Sequence, residues 1–275
     1  MCLGLSSQFG IDEVSQIELF ARVGFDAFFS GWSRGCDIGA LRAAGDRCGM
    51  EFQSIHAPFV RMDRMWKDLP DTEDTVAELC ECLRDCAEYH VPVMVAHAFI
   101  GFEEHSPNEI GVRNFGRVVD EAERLGVRLA LENTEGIEYL ARLFEAFSDR
   151  ECVGFCWDTG HEMCYNWSED VVGRFGQNGK LFATHLNDNL GIRDFEGKIT
   201  WIDDLHLLPF DGIADWKGIA ERLDRAGFDG TMTFELNTKS KPGRHENDKY
   251  DKMDIEQYVT EVYIRACRLA AMRKK

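Results

Sequence analysis

The sequence is short of positive charge. Its 31 Lys and Arg residues stand against 49 Asp and Glu residues, which gives a formal net charge of -18. Such a protein repels phosphate backbones on average, so a nucleic-acid partner would need a local basic patch that overcomes this field. A small neutral or metal-chelating substrate suits the charge better. We therefore expect a small-molecule partner and no nucleic acid.

Paired cysteines and long apolar runs are also missing. The ten cysteines are scattered without Cys-x-x-Cys units, and the first ten residues, MCLGLSSQFG, lack a charged-then-apolar signal segment. Reduced thiols in a cytoplasmic protein are therefore the expectation. No apolar run approaches the roughly 20 residues that cross a bilayer, so we expect no membrane partner.

No low-complexity linker or change in composition divides the 275 residues, of which 44% are hydrophobic. This length and composition predict one domain over residues 1–275. Short apolar runs alternate with amphipathic, helix-like stretches along the whole chain. The predicted strands are residues 2–5, 25–30, 52–57, 92–98, 127–133, 153–158, 181–187 and 231–236.

Eight strand–helix units predict an α/β fold, a (β/α)8 TIM barrel. An open nucleotide-binding sheet is less consistent with the sequence, because no Gly-x-Gly-x-x-Gly turn follows the first strand. The longest irregular segment runs from Asn187 to about Asp215. A segment of this length is expected to cover or line a functional site.

Charged and imidazole side chains recur where the predicted strands end. In a TIM barrel these ends meet at one mouth, so side chains distant in sequence converge there. A single histidine at such a position is usually a hydrogen-bonded core residue, but six consecutive strand ends are hard to explain that way. The six residues are His56, His97, Glu132, Asp158, His185 and Glu235.

Converging carboxylates repel one another and need a cation when they are buried. Glu132, Asp158 and Glu235 together with His185 form an oxygen-rich set. This set predicts one divalent metal ion, Mn²⁺ in the first place, with Mg²⁺, Co²⁺ or Zn²⁺ as alternatives. His161 lies one helical turn beyond Asp158, where it can reach a metal-bound neighbour or the substrate.

Several motifs resemble one superfamily. They are SIHAPF, LALENT, CWDTGH, THLND, DLHLLPFDGIADW and GFDGTMTFEL. Together they are similar to the xylose-isomerase-like barrels, which include ketose 3-epimerases, hydroxypyruvate isomerases, inosose dehydratases and apurinic-site endonucleases. The resemblance covers nearly the whole chain and implies that the four residues named above bind one metal and that His161 contacts substrate.

The resemblance implies an isomerase or epimerase of a sugar, sugar phosphate or related hydroxy-carbonyl compound. Proton transfer would pass through a metal-stabilised enediolate. Glu132 and Glu235 lie across the predicted mouth from one another, so one can remove a proton and the other can return it. The sequence does not choose among epimerisation, aldose–ketose isomerisation and dehydration, and it leaves a homo-oligomer open.

Two alternatives remain. The family's endonucleases use a larger ligand set, for which this chain has candidates that would turn the site toward phosphoester hydrolysis. These candidates, which we also assign to substrate binding, are His56, His97, His161, Asp204 and His206. The net charge argues against a DNA substrate. The other alternative is a catalytically idle barrel subunit that retains its metal ligands.

Further candidates for substrate contact lie near the mouth. Trp32, with Phe9 and Trp66, would shape a sugar pocket or fill gaps in the packing. Arg193 follows His185 in the long loop. It lies near the sequence position at which the ketose epimerases have a substrate-contacting arginine. The basic segment KSKPGRH, residues 239–245, either binds a phosphate or carboxylate group or is a solvated loop.

Overall fold

Eight parallel strands form the barrel in a computed structural model, which describes residues 1–4, 9–103, 105–192 and 198–274. Each strand pairs with its neighbours in sequence, and the first strand also pairs with the last. A bridge between Leu186 and Phe234 joins the seventh strand to the eighth and closes the ring. The strands are β1 (Cys2–Gly4), β2 (Ala27–Gly31), β3 (Glu51–His56), β4 (Val93–His97), β5 (Arg128–Glu132), β6 (Val153–Asp158), β7 (Leu181–His185) and β8 (Thr233–Phe234).

The predicted TIM barrel is confirmed, and each of the eight predicted runs overlaps a strand. Helices connect the strands on the outside. Two short helices, rather than one long helix, lie between β6 and β7. The helices are α1 (Glu13–Val23), α2 (Ile38–Cys48), α3 (Thr72–Glu88), α4 (Glu109–Leu125), α5 (Ile137–Phe147), α6 (Thr159–Cys164), α7 (Val171–Phe175), α8 (Trp216–Arg225) and α9 (Ile255–Ala270).

Local sequence signals set the ends of the helices. Asp12 caps α1 by accepting a hydrogen bond from the Ser15 amide. The same helix ends at Gly24, whose φ of 119° lies in a region that side chains disfavour. Asp254 and Gln257 form a reciprocal capping box at the start of α9. These caps define where the helices stop and the loops at the mouth begin.

Side-chain alternation along the strands decides what points into the barrel. Residues two apart on a strand share a face. Small residues fill the interior below the mouth as a separate buried cluster of Val93, Val95, Ala130, Cys156 and Ala183. These residues belong to β4, β5, β6 and β7. The next residue on the same face of these strands is, in turn, His97, Glu132, Asp158 and His185. The pattern therefore places the polar residues directly above a compact apolar layer.

All ten cysteines are free thiols, as predicted. Cys82 and Cys86 of α3 are fully buried in the core between helices and strands. Within the part of the chain that the structure describes, no helix has both the length and the apolar character needed to span a membrane.

Candidate metal centre

Four side chains converge at the mouth of the barrel. Glu132, Asp158 and His185 end strands β5, β6 and β7, and Glu235 follows β8 directly. Each offers one ligand atom, and these four atoms all lie within 4.8 Å of one another. The set predicted from the sequence is thus brought together in space, and it has the dimensions of a single-ion site.

The Glu132 carboxylate is at the centre of a group of imidazoles. Its Oε1 lies 3.0 Å from Nδ1 of His185 and 3.5 Å from Nδ1 of His161. Its Oε2 lies 3.3 Å from Nε2 of His56 and 3.5 Å from Nε2 of His97. Glu132 is fully buried. Since an unpaired buried carboxylate is costly, these contacts or a bound cation must compensate its charge.

Asp158 is held in place from both sides. It caps helix α6, and its Oδ1 accepts a hydrogen bond of 2.6 Å from the His161 amide. Its Oδ2 accepts one of 2.8 Å from Nδ2 of Asn187. Asn133 fixes the backbone, because its side chain accepts from the Asp158 amide at 2.8 Å and donates to the Asp158 carbonyl at 2.9 Å. The Asp-x-x-His spacing therefore combines a helix cap with a candidate ligand position.

A second group of candidate ligands adjoins the first. Asp158, His161 and His206 also offer ligand atoms within 4.8 Å of one another. Oδ1 of Asp204 lies 3.0 Å from Nε2 of His206 and 3.5 Å from Nε2 of His161. The structure therefore brings together all the additional residues of the larger ligand set, with His56 and His97 beside the other oxygen of Glu132.

The irregular segment after β7 carries Asp204 and His206 to the mouth. In its described parts, 187–192 and 198–215, it contains no regular helix or strand beyond a bridge between Asp188 and Leu207. The fully buried Asp188 carboxylate ties this segment together. It accepts hydrogen bonds from the amides of Asn189, Phe210 and Ala214 at 2.9–3.0 Å and from the Trp216 indole at 2.9 Å.

Burial and neighbouring opposite charges shift the pKa values of the acids and imidazoles of the centre. Burial raises the pKa of Asp158 to about 6. Burial opposes ionisation of Glu235 as well, but His185 outweighs it and lowers the Glu235 pKa to about 2. Burial opposes the charge on His206, yet Asp204 raises its pKa to about 9. Protonated imidazoles thus balance the carboxylates here, and a divalent cation would take over that role on displacing their protons.

The residues fit a divalent ion. Oδ1 of Asp204 is buried and has no hydrogen-bond partner of good geometry among the described residues, although two imidazole nitrogens lie within 3.5 Å. A cation bound here would give this oxygen a partner. Carboxylate oxygens mixed with imidazole nitrogens suit Mn²⁺, Co²⁺ and Zn²⁺.

The predicted aromatic contacts do not join this centre. The indole of Trp32 donates a hydrogen bond to Asp85 of helix α3, and its ring belongs to the apolar core. Phe9 packs against Phe20 and Tyr258, and Trp66 packs against Phe115 and Tyr139. These contacts are those of packing residues. Arg193 lies outside the described residues.

Three aromatic residues that the sequence reasoning missed contact the centre instead, and one of them, Phe29 of β2, stacks on His185 with a centroid separation of 5.1 Å. The Phe59 ring stacks on His97 with a centroid separation of 4.8 Å and is 42% exposed. The Tyr165 ring stacks on His161 at 5.2 Å. Phe59 stands three residues beyond His56 in the SIHAPF motif, and this spacing is the only signal by which it could have been found.

A closed parallel barrel with carboxylates and imidazoles collected at the carboxyl ends of its strands defines a TIM-barrel protein with a candidate metal centre. The chain belongs to the xylose isomerase-like TIM barrel family, whose model matches residues 17–254.

Two curated relatives share part of this sequence. An uncharacterized protein of Sinorhizobium fredii, y4fM, is 33% identical over 45% of this chain and 38% of its own length. A probable endonuclease 4 of Methanoculleus marisnigri is 28% identical over 56% of this chain and 61% of its own length. The chain therefore spans less than two thirds of both relatives.

Solved structures share the fold over almost the whole chain. A protein named IOLI, solved with a bound zinc atom, has a TM-score of 0.76 at 17% identity and covers 98% of this chain and 97% of its own. D-psicose 3-epimerase of Clostridium cellulolyticum, solved with D-tagatose, has a TM-score of 0.69 at 17% identity, covering 98% and 99%. At these identities the likeness establishes the fold.

Proposed function

We propose that the protein is a divalent-metal-dependent isomerase or epimerase of a sugar, a sugar phosphate or a related hydroxy-carbonyl compound. The observation that carries the proposal is the convergence of Glu132 and Glu235. These two carboxylates come from β5 and from the end of β8, yet they lie 3.0 and 3.2 Å from the same atom, Nδ1 of His185. Two carboxylates that reach one point from different strands can act on the same small substrate.

Glu132, Asp158, His185 and Glu235 would hold the metal. When bound, a divalent ion would act as a Lewis acid that withdraws charge from the carbonyl of a chelating substrate and stabilises its enediolate. Mn²⁺ is our first choice, and the oxygen-rich ligand set supports it over softer ions.

The two glutamates are not equivalent. The Glu235 side chain is 31% exposed, whereas that of Glu132 is fully buried. Glu235 is therefore the accessible base, and loss of the His185 proton, which holds the Glu235 pKa at about 2, would make it a stronger one. It takes the proton from the carbon next to the carbonyl while the C–H electron pair forms the enediolate double bond. Each Glu132 oxygen lies within 3.5 Å of two imidazoles, which can supply the proton that Glu132 delivers. Return to the opposite face epimerises the carbon, and return to the neighbouring carbon isomerises the substrate.

Solvent deuterium tests this proposal. Mn²⁺-loaded protein is incubated in D₂O with a panel of ketoses, ketose phosphates and inososes, and the products are examined by NMR and mass spectrometry. We expect deuterium at the exchanging carbon of one compound, because a proton held on a carboxylate exchanges with solvent.

Glutamine variants identify the base. Glu235→Gln should abolish conversion, while Glu132→Gln should abolish net epimerisation but leave exchange in one epimer. Glu145→Gln is the matched control, because this residue is 74% exposed and pairs with Arg142 on helix α5. Conversion without solvent deuterium, or full activity in both site variants at equal metal content, would contradict the mechanism.

The second group of ligands favours one other candidate, a multi-metal phosphoesterase. Asp158, His161, Asp204 and His206 adjoin the first site, and the partial relative named a probable endonuclease 4 is consistent with this chemistry. The net charge of -18 weighs against a DNA substrate. An abasic-site oligonucleotide and bis(p-nitrophenyl) phosphate belong in the same screen, and metal-dependent cleavage of either one would favour this candidate.

A further inference from the structure

A lysine approaches the metal centre from the segment after β8. The ammonium of Lys241 lies 3.8 Å from Oδ2 of Asp204, whose other oxygen faces His161 and His206. Its side chain is 19% exposed. Among the described residues its ammonium makes no hydrogen bond, since 3.8 Å to Asp204 is too long for one. Lys241 therefore has donors available at the edge of the mouth.

An exposed tryptophan accompanies this lysine. The Lys241 ammonium lies 5.4 Å from the ring centroid of Trp201, within the range of a cation–π contact. Trp201 belongs to the long segment after β7 and is 53% exposed, unlike the fully buried Trp157. A flat apolar surface beside a cation is suited to a ligand that has both a C–H face and a negative charge.

The segment that presents Lys241 is well anchored. Arg244 is almost buried, and its Nε and Nη2 donate to Glu246 at 2.7 and 2.6 Å. Asn247 donates to the carbonyls of Asn237 and Lys239 at 2.9 and 3.3 Å. This ordered loop keeps Lys241 in position without using its charge.

The other basic side chains of segment 239–245 pair with carboxylates that are not candidate ligands, and Arg244 lies 3.7 Å from Asp203 in addition to its bonds with Glu246. Lys239 pairs with Asp251 at 2.6 Å and is 62% exposed, and His245 pairs with Asp248 at 2.7 Å and is 83% exposed. Within this segment, which the structure describes in full, Lys241 is the residue whose charge reaches the centre. The alternative of a wholly solvated loop does not account for that placement.

We propose that Lys241 and Trp201 form a subsite that selects an anionic sugar, with the lysine pairing to a phosphate or carboxylate group and the indole covering the C–H face of the carbon chain. This rests on the proposed function, because it takes the barrel mouth to be the place where a sugar binds. An anionic group on the sugar would give the Lys241 ammonium a hydrogen-bond acceptor, which Asp204 at 3.8 Å does not provide.

Binding measurements test the subsite independently of turnover. The Mn²⁺-loaded full chain is titrated calorimetrically with fructose, fructose 6-phosphate and fructuronate, so that the neutral, phosphate and carboxylate arms are separate. We expect at least one anionic sugar to bind about tenfold tighter than fructose, as expected for one charge-assisted hydrogen bond. The anionic sugar whose affinity exceeds that of fructose by the larger factor shows which anion, phosphate or carboxylate, the subsite prefers.

Lys241→Met should remove this gain and leave fructose affinity within about twofold, because it keeps the alkyl stem and loses one charged group. Lys239→Met, two residues away, is the matched control and should retain the gain. Lys241→Arg should restore part of it, and a melting curve checks that each variant is folded. Trp201→Ala should weaken the neutral and anionic sugars alike.

An unchanged anion preference in Lys241→Met would overturn the subsite, as would an equal loss in both lysine variants or the absence of any preference in the wild type. Lysine-dependent anion binding without solvent exchange would leave the subsite standing while the proposed isomerase fails. Solvent exchange on neutral sugars, with no effect of Lys241→Met on anion binding, would leave the proposed isomerase standing while the subsite fails.

Discussion

Replacing Asp188 by asparagine should loosen the long segment that brings Asp204 and His206 to the candidate metal centre. The Asp188 carboxylate is fully buried and accepts four hydrogen bonds, two on each oxygen. The amide of asparagine keeps one oxygen and turns the other position into a donor that faces two N–H groups. Two bonds to a charged group are therefore lost, at about 1.5–3 kcal/mol each.

The neutral amide recovers part of this loss, because it needs less desolvation than a carboxylate. We therefore expect Asp188→Asn to lower the free energy of unfolding by about 3 kcal/mol, the lower end of the range. For a chain of this size, that corresponds to a fall in Tm of roughly 6–12 °C. The amide hydrogen of either Phe210 or Ala214 should also exchange faster, because these amides bond to different oxygens of Asp188 and the one that faces the new NH₂ group loses its acceptor.

Thermal unfolding followed by circular dichroism gives the fall in Tm, and hydrogen exchange with mass spectrometry gives the amide exchange rates. Asp215→Asn is the control in the same segment, because Asp215 caps helix α8 and asparagine caps equally well. It should change stability by less than about 0.5 kcal/mol. An Asp188→Asn protein that melts with the wild type and shows unchanged exchange would refute the assigned role.

Three other perturbations follow from the same contacts. The folded pKa of His206, raised to about 9, exceeds its unfolded value, so its contribution of roughly 3 kcal/mol is complete below pH 6.5 and lost as the pH rises to about 9. Denaturant unfolding of chelator-treated protein should show this fall in the free energy of unfolding with pH, and His206→Asn should show a smaller fall. The same pH dependence in the wild type and in the variant would contradict this prediction. His161→Ala should retain the ion of the first site but lose any second ion and the activity, and wild-type turnover in this variant would oppose a substrate role. Arg222→Ala leaves the buried Glu162 without its bidentate partner and should cost about 3–5 kcal/mol in denaturant unfolding, whereas a loss below 1 kcal/mol would contradict a buried pair.

The barrel could be predicted because its strands repeat one local pattern. Apolar runs that alternate with helix caps and glycine stops report directly on strands and helices. The polar residue at the end of each run then locates the mouth, since side chains two apart share a face of the strand. Glu132, Asp158 and His185 could be placed together on this ground alone.

The contacts made by loops could not be predicted in the same way. Trp32 follows a strand as Phe59 does, yet it turns toward Asp85 of helix α3 while Phe59 stacks on His97. Loop direction depends on tertiary hydrogen bonds, such as those that Asp188 collects, and these have no sequence period. The same reason hid Lys241, which the sequence shows only as one of several basic residues in a loop.

Metal analysis tests the central claim most directly. Purified protein is loaded with Mn²⁺, freed of excess ion and measured by inductively coupled plasma mass spectrometry beside Asp158→Asn and the control Asp215→Asn. We expect at least one equivalent of divalent ion in the wild type and the control, and a clear loss in Asp158→Asn, because the variant removes one charged oxygen from the four-residue set. Less than half an equivalent in the wild type, or unchanged occupancy in Asp158→Asn, would contradict a metal centre built from these residues.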